Sequence, residues 1–168
     1  MDAMEAIFTR RSIRKYTKQP VSNEVLKELL EAAMCAPSAG NRQPWHFIVI
    51  NDHKVIDEIP KYHRYAQMLG EAAVAIVVCC DVTLERSGLG FEDCSAATQN
   101  ILLAAHAMGL GAVWLGISVP GGQADPTQKL LNIPENIKPV SIISIGYPAE
   151  ENPRQDRYQA ARVHYNRW

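Results

Sequence analysis

Between Ser22 and Pro37 the apolar residues Val25, Leu26, Leu29, Leu30 and Ala33 return every three or four positions, with polar residues in the gaps. That spacing predicts an amphipathic helix, which Ser22 is placed to cap and Pro37 to close. The runs "WHFIVIN" and "AVAIVVCCDV" are short, β-branched and flanked by turn residues, the pattern of buried strands. Weaker helical stretches lie between them, near 53–59 and 62–71. From Phe91 to Met108 the chain is apolar on nearly every side and stops at Gly109, which predicts a central buried helix. "GAVWLGI" and "VSIISIGY" read as two more core strands, separated by the Gly- and Pro-rich loop "SVPGGQADP" and a short helix near 126–131. A first helix over 4–11 completes the set, and no internal repeat or low-complexity segment interrupts it.

The last stretch, "PAEENPRQDRYQAARVHYNRW", departs from this regularity. It has little periodic pattern, yet it carries Tyr158, Val163, Tyr165 and Trp168, and aromatic side chains need a surface to cover them. It either folds back on its own domain or lies across another subunit.

A chain of 168 residues fits one domain. Lys plus Arg total 17 and Asp plus Glu total 18, so no global field favours nucleic acid or a membrane surface, and any anion site must be local. No apolar run approaches the roughly 20 residues that span a bilayer. The N-terminus "MDAMEAIFTRRS" has a helical pattern in place of a signal peptide's apolar core. Cys35, Cys79, Cys80 and Cys94 form no CxxC pair and read as buried reduced thiols. Together these features predict a cytoplasmic protein.

Three stretches carry candidate chemistry. "RRSIRK" places four positive charges in six positions, with Arg10 and Arg11 at the end of the first helix and Arg14 a short turn beyond. Guanidinium groups bind phosphate bidentately and the Ser12 hydroxyl adds a donor; a solvated basic face explains the same residues without any ligand. In "APSAGNRQPWHF", the small residues Pro37, Ser38, Ala39 and Gly40 allow close backbone approach, and Asn41 and Gln43 offer donors and acceptors suited to a heteroaromatic edge. A plain connection after a helix has the same composition. "GLGAVWLGI" is no dinucleotide fingerprint, because its glycines follow a helix and open a strand. Gly116 within it permits close approach by a ligand or marks a simple bend. The five histidines lack metal-ligand spacing, and His106 reads as a satisfied core histidine. With no GxSxG, Walker A or HExxH motif, no side chain stands out as a nucleophile. The chemistry then belongs to a cofactor, or there is none.

In order along the chain, "RRSIRKY", "APSAGNRQPWHF", "GLGAVWLG" and "GYPAE" with its basic, aromatic tail resemble the FMN-dependent nitroreductase family in its short form. The resemblance implies an α+β fold with a central β-sheet covered by helices, built as an intertwined homodimer with C-terminal arm exchange. Residues 1–147 would form the FMN-binding domain and 148–168 the arm that packs on the partner. It implies FMN alternately reduced by NADH or NADPH and oxidised by a small acceptor such as a nitroaromatic or a quinone. On this match Arg10, Arg11, Ser12 and Arg14 contact the phosphate and ribityl chain. Pro37, Ser38, Ala39 and Asn41 reach the flavin of the other subunit, Trp114, Leu115 and Gly116 pass near its ring, and Arg157 closes on the phosphate. No residue is assigned a catalytic role.

Some positions depart from the pattern. Ala39 stands where a second Ser is frequent, Gln155 stands where a basic residue is frequent and Arg154 is the candidate substitute, and an acidic residue between Leu115 and Gly116 is missing. These changes remodel the pocket over the flavin, so a reductase or dehydrogenase acting on another small molecule is an alternative, and a non-catalytic flavin-binding dimer a more distant one.

Overall fold

The computed structural model describes residues 1–117 and 123–168; most of the loop expected at "SVPGGQADP" lies outside the described residues. Strands β1 (Trp45–Ile50), β2 (Val74–Asp81), β3 (Gly111–Gly116) and β4 (Ile137–Gly146) form an antiparallel sheet in the order β1-β2-β4-β3. Around it lie α1 (Ala3–Thr9), α2 (Asn23–Met34), α3 (His53–Ile56), α4 (Ile59–Tyr62), α5 (Gly90–Ala107) and α6 (Ala124–Leu130). This is the α+β arrangement the sequence predicts.

Strand β2 shows why its sequence lacks alternation: Val74 to Cys80 are buried without a break, because both faces of the sheet are covered. Val74, Ile76, Val78 and Cys80 pack with Leu26 and Leu29 of α2 and Ala97 and Ile101 of α5. Ala75, Val77 and Cys79 turn to the opposite face and meet Ile56, Ile59, Leu69 and Ile142. Helix α2 starts where Ser22 Oγ accepts the Val25 amide at 3.3 Å, and it buries Leu26, Leu29 and Ala33. Helix α5 carries the chain across the sheet between β2 and β3 and ends at Gly109, whose φ of 78° suits glycine.

Three expectations change. The first helix ends at Thr9, and the chain from Arg10 runs extended onto β3, where the Ile13 amide donates to Ala112 O at 3.1 Å. Arg10 therefore caps the helix end, its amide donating to Ala6 O, while Arg11 and Arg14 stand on an edge segment and not on a helix end and turn. The predicted helices near 53–59 and 62–71 break into α3, α4 and a 3₁₀ turn at Gln67–Glu71, because Ile56, Ile59 and Leu69 must each reach the same sheet face. Cys79, Cys80 and Cys94 are buried thiols, burial pushing Cys79 up to about 12, whereas Cys35 is exposed just past α2. Among the described residues no helix is long and apolar enough to cross a membrane.

Candidate functional site

The segment after α1 is fastened from both sides. Inward, Ile13 and Tyr16 are buried, and the Tyr16 hydroxyl donates to Ile13 O at 2.7 Å. Outward, the start of the C-terminal stretch runs along it. Ala149 N donates to Lys15 O, Glu150 Oε1 accepts the Arg14 and Lys15 amides, and Asn152 Nδ2 donates to Ser12 O. Arg11 Nε donates to Pro153 O at 3.0 Å. The positive segment is thereby held in one line, with Arg10, Arg11 and Ser12 half-buried and Arg14 exposed.

At one end of this line Phe8, Arg10, Arg11, Arg154 and Arg157 wall a cavity of about 460 Å³. Burial, then the neighbouring charge of Arg11, then that of Arg157, push the Arg10 guanidinium below its ordinary value. Arg11 spends Nη1 on the carbonyls of Phe8 and Arg10, at 3.1 and 2.6 Å, while its Nη2 is buried without a partner among the described residues. Arg154 stacks on the Phe8 ring at 4.8 Å, and Asp156 contributes the cavity's acidic side chain. Like charges gathered with an unspent donor form a site that an anion with several oxygens stabilises.

At the other end, Arg14, His63, Tyr65 and the β3 stretch Val113–Gly116 wall a cavity of about 490 Å³. β3 is one of the two outer strands of the sheet, and a Cβ placed on Gly116 would meet no described atom within 4 Å. A flat ligand can therefore approach the strand end closely. Ser12 lies between the two cavities, bridged to Ala112.

The structure thus brings Arg10, Arg11 and Arg157 together in one cavity and Arg14, Trp114, Leu115 and Gly116 in another. Pro37, Ser38, Ala39 and Asn41 line neither. They belong to the loop after α2, which has positive φ at Gly40, Asn41 and Gln43. Half-buried Ala39 donates its amide to the buried carboxylate of Asp93 at 3.0 Å, and Ser38 Oγ accepts the Gln43 amide. The loop is tied to α5 through Asp93 and leaves Pro37, Gly40 and Asn41 exposed.

The sequence hides the 63–68 wall behind a weakly helical pattern; the "HRY" triplet is its one signal, a basic and aromatic cluster in an otherwise short connection. It also hides Asp93, a carboxylate on the buried face of α5; that helix is not covered on every side as its composition suggests, for Phe91, Glu92 and Gln99 are exposed. His106 is half-buried at the end of α5, not fully in the core, and is satisfied by Thr9 Oγ1 at 2.8 Å.

Residues 7–147, which hold the arginine segment, the 37–43 loop and β3, match the model of the Nitroreductase family. A protein of Methanothermobacter thermautotrophicus is 47% identical over all of this chain and 88% of its own length. Its name, "Putative NADH dehydrogenase/NAD(P)H nitroreductase", is shared by a crystal structure from Parabacteroides distasonis with a TM-score of 0.95 and 41% identity over 98% of both chains. A Desulfovibrio desulfuricans structure, described as "a putative nitroreductase in complex with fmn", superposes with a TM-score of 0.86 at 34% identity, covering 100% of this chain and 99% of that one. With the model spanning most of the chain and relatives matched along nearly their whole length, this chain belongs to the nitroreductase family.

Proposed function

We propose that two copies of this chain bind FMN where they meet and pass a hydride from NADH or NADPH, through the flavin, to a small electron-poor acceptor such as a nitroaromatic or a quinone. The carrying observation is the convergence of Arg10, Arg11 and Arg157 on one cavity, with Arg11 Nη2 buried and unpartnered among the described residues. That donor set fits a phosphate. Four residue steps separate Arg10 from Arg14, at most about 14 Å of extended chain. A ligand with an anionic end and a planar end can lie along this line, its phosphate among the arginines and its ring beside β3. The FMN bound in the Desulfovibrio relative supports the choice of ligand.

When bound, the flavin supplies the reversible two-electron chemistry, and the protein supplies position and charge. Arg10, Arg11 and Arg157 neutralise the phosphate, with Arg154 at the same wall in place of the basic residue absent at Gln155. Ser12 and Arg14 stand toward the ribityl chain, and the edge of β3 from Trp114 to Gly116 offers backbone close to the ring. Pro37, Ser38, Ala39 and Asn41 reach the flavin of the partner subunit, which accounts for a loop that walls neither cavity of its own chain. Hydride exchange between stacked rings requires no general base, so no side chain is given that role. Donor and acceptor use one face in turn, which is ping-pong kinetics.

Purified protein tests this directly. It is expected to be yellow, to bleach anaerobically with one equivalent of NADH or NADPH per flavin, and to regain its colour on addition of a quinone. Protein that is colourless and takes up no FMN when supplied with it would overturn the reading.

A further inference from the structure

His63 stands apart from the other polar groups around the β3 cavity. Arg14, Arg64, Tyr65 and Gln67 are exposed and can turn to solvent, whereas His63 is 3% exposed. Its Nδ1 accepts the Tyr65 amide at 3.3 Å. A ring nitrogen that accepts carries no proton, so in the neutral ring the proton sits on Nε2. That Nε2 is buried and has no hydrogen-bond partner among the described residues. A buried N–H without an acceptor is costly, and native structures rarely leave one unless something else occupies the site.

We infer that His63 Nε2–H donates a hydrogen bond to a carbonyl or ring-nitrogen acceptor on the edge of the flavin that lies against the end of β3. The inference rests on the FMN reading above and adds to it a donor fixed in direction. Tyr65 N holds the ring from one side, and on the other no described residue offers Nε2 an acceptor. A donor of this kind strengthens as negative charge builds on the ring acceptor atoms, so His63 favours the reduced flavin over the oxidised one. His63 is then a positioning and tuning group on the 63–68 wall, and no proton leaves it during turnover.

Two substitutions separate a ligand role from a packing role. Asn places an amide oxygen near the position of Nδ1 and retains the acceptor for Tyr65 N, but offers nothing at Nε2. Gln places its amide nitrogen near Nε2 and retains the donor, but loses the Tyr65 contact. In His63→Asn the bound flavin is expected to show a shifted visible absorption band. Its two-electron midpoint potential should fall by about 30 mV, the equivalent of tenfold weaker relative binding of the reduced form. In His63→Gln both should stay close to wild type. If Asn leaves band and potential unchanged while Gln disturbs them, the ring serves only to hold Tyr65 and the inference fails. It also fails if Asn alters only the KM of the acceptor, which would make the acceptor the recipient of the bond. Wild-type protein that binds no FMN overturns the reading beneath it, an outcome recognisable before either variant is made.

Discussion

His106 sits on the last turn of α5, within reach of the charges that define the arginine cavity. Its partner, Thr9, gives its hydroxyl proton to Glu5 O at 2.6 Å, so the Thr9 oxygen is left to accept and His106 Nε2 carries the proton of the neutral ring. Burial first, then Arg10, then Arg11, pull His106 below its ordinary value of 6.5. The sign of the effect on stability follows. Above pH 6.5 the ring is neutral in both folded and unfolded chains and contributes no slope. As the pH falls below 6.5 the unfolded chain takes up a proton that the folded chain resists, so stability declines until the folded value is reached, and is flat beyond it. Urea midpoints of the FMN-free protein measured from pH 8 down to pH 5 should fall in this window, and the excess slope should vanish in His106→Asn. Equal slopes in the two proteins would refute the assignment. At this scale the sequence reveals residues whose chemistry is unusual by composition, as in "RRSIRK". It hides residues such as His63, whose distinction is a missing partner among the described residues and a burial that only the assembled fold creates.

Elements were legible where their own periodicity dictates them and illegible where a distant surface does. Strands β1 to β4 and helices α2 and α5 announce themselves, because each has enough buried positions to set a period. The 10–16 segment has no period of its own; it is shaped by two glycines far along the chain, Gly111 facing Ile13 and Gly146 facing Tyr16. Gly111 and Gly146 are direct partners across β3 and β4. A Cβ on Gly111 would come within 2.6 Å of Ile13 Cγ2 and 2.8 Å of Ile13 Cβ, and one on Gly146 would meet the Tyr16 ring at 2.9 Å. This bare strip is the bed on which the arginine segment lies. Ile13 is β-branched, and the contact includes its own Cβ, so rotation of the side chain cannot relieve it. Gly111→Ala should therefore cost about 1–3 kcal/mol in stability, as overpacking of a filled core does. It should also lift Arg10 to Arg14 off β3 and weaken FMN retention, whereas alanine at exposed Gly70, with no described atom within 4 Å, should do neither. Thermal melts and flavin occupancy after dialysis provide the check, and unchanged occupancy in Gly111→Ala would mean that the segment's placement is not what holds the cofactor.

For the whole molecule, the question is what covers the end of the chain. Residues 148–153 are zipped to the chain's own N-terminal segment, but from Glu151 onward every residue is exposed, and Tyr158, Tyr165 and Trp168 are 74%, 82% and 101% exposed. Met4, Ile7 and Phe8 of α1 are exposed as well. Aromatic side chains left in water on this scale, beside an uncovered helix face, are what a subunit missing its partner presents. In the proposed homodimer the proximal arm stays at home, where Arg157 completes the arginine cavity, and the distal arm crosses over. The two halves can be separated by length. A chain ending at Gln159 keeps every contact made by Glu150, Asn152, Pro153 and Arg157 but loses Val163, Tyr165 and Trp168, whereas one ending at Pro148 loses both sets. Tyr and Trp anchors buried at an interface are worth roughly 2 kcal/mol or more each, about thirtyfold per anchor in the dissociation constant, so that even partial loss of one costs about tenfold. Sedimentation across a dilution series should therefore show the Gln159 chain dissociating at concentrations at least about tenfold above full-length protein. The Gln159 chain should still hold FMN when concentrated enough to dimerise, whereas the Pro148 chain should lose FMN even there. If the Gln159 chain proves as tightly dimeric as the full-length protein, the distal arm lies elsewhere than on the partner.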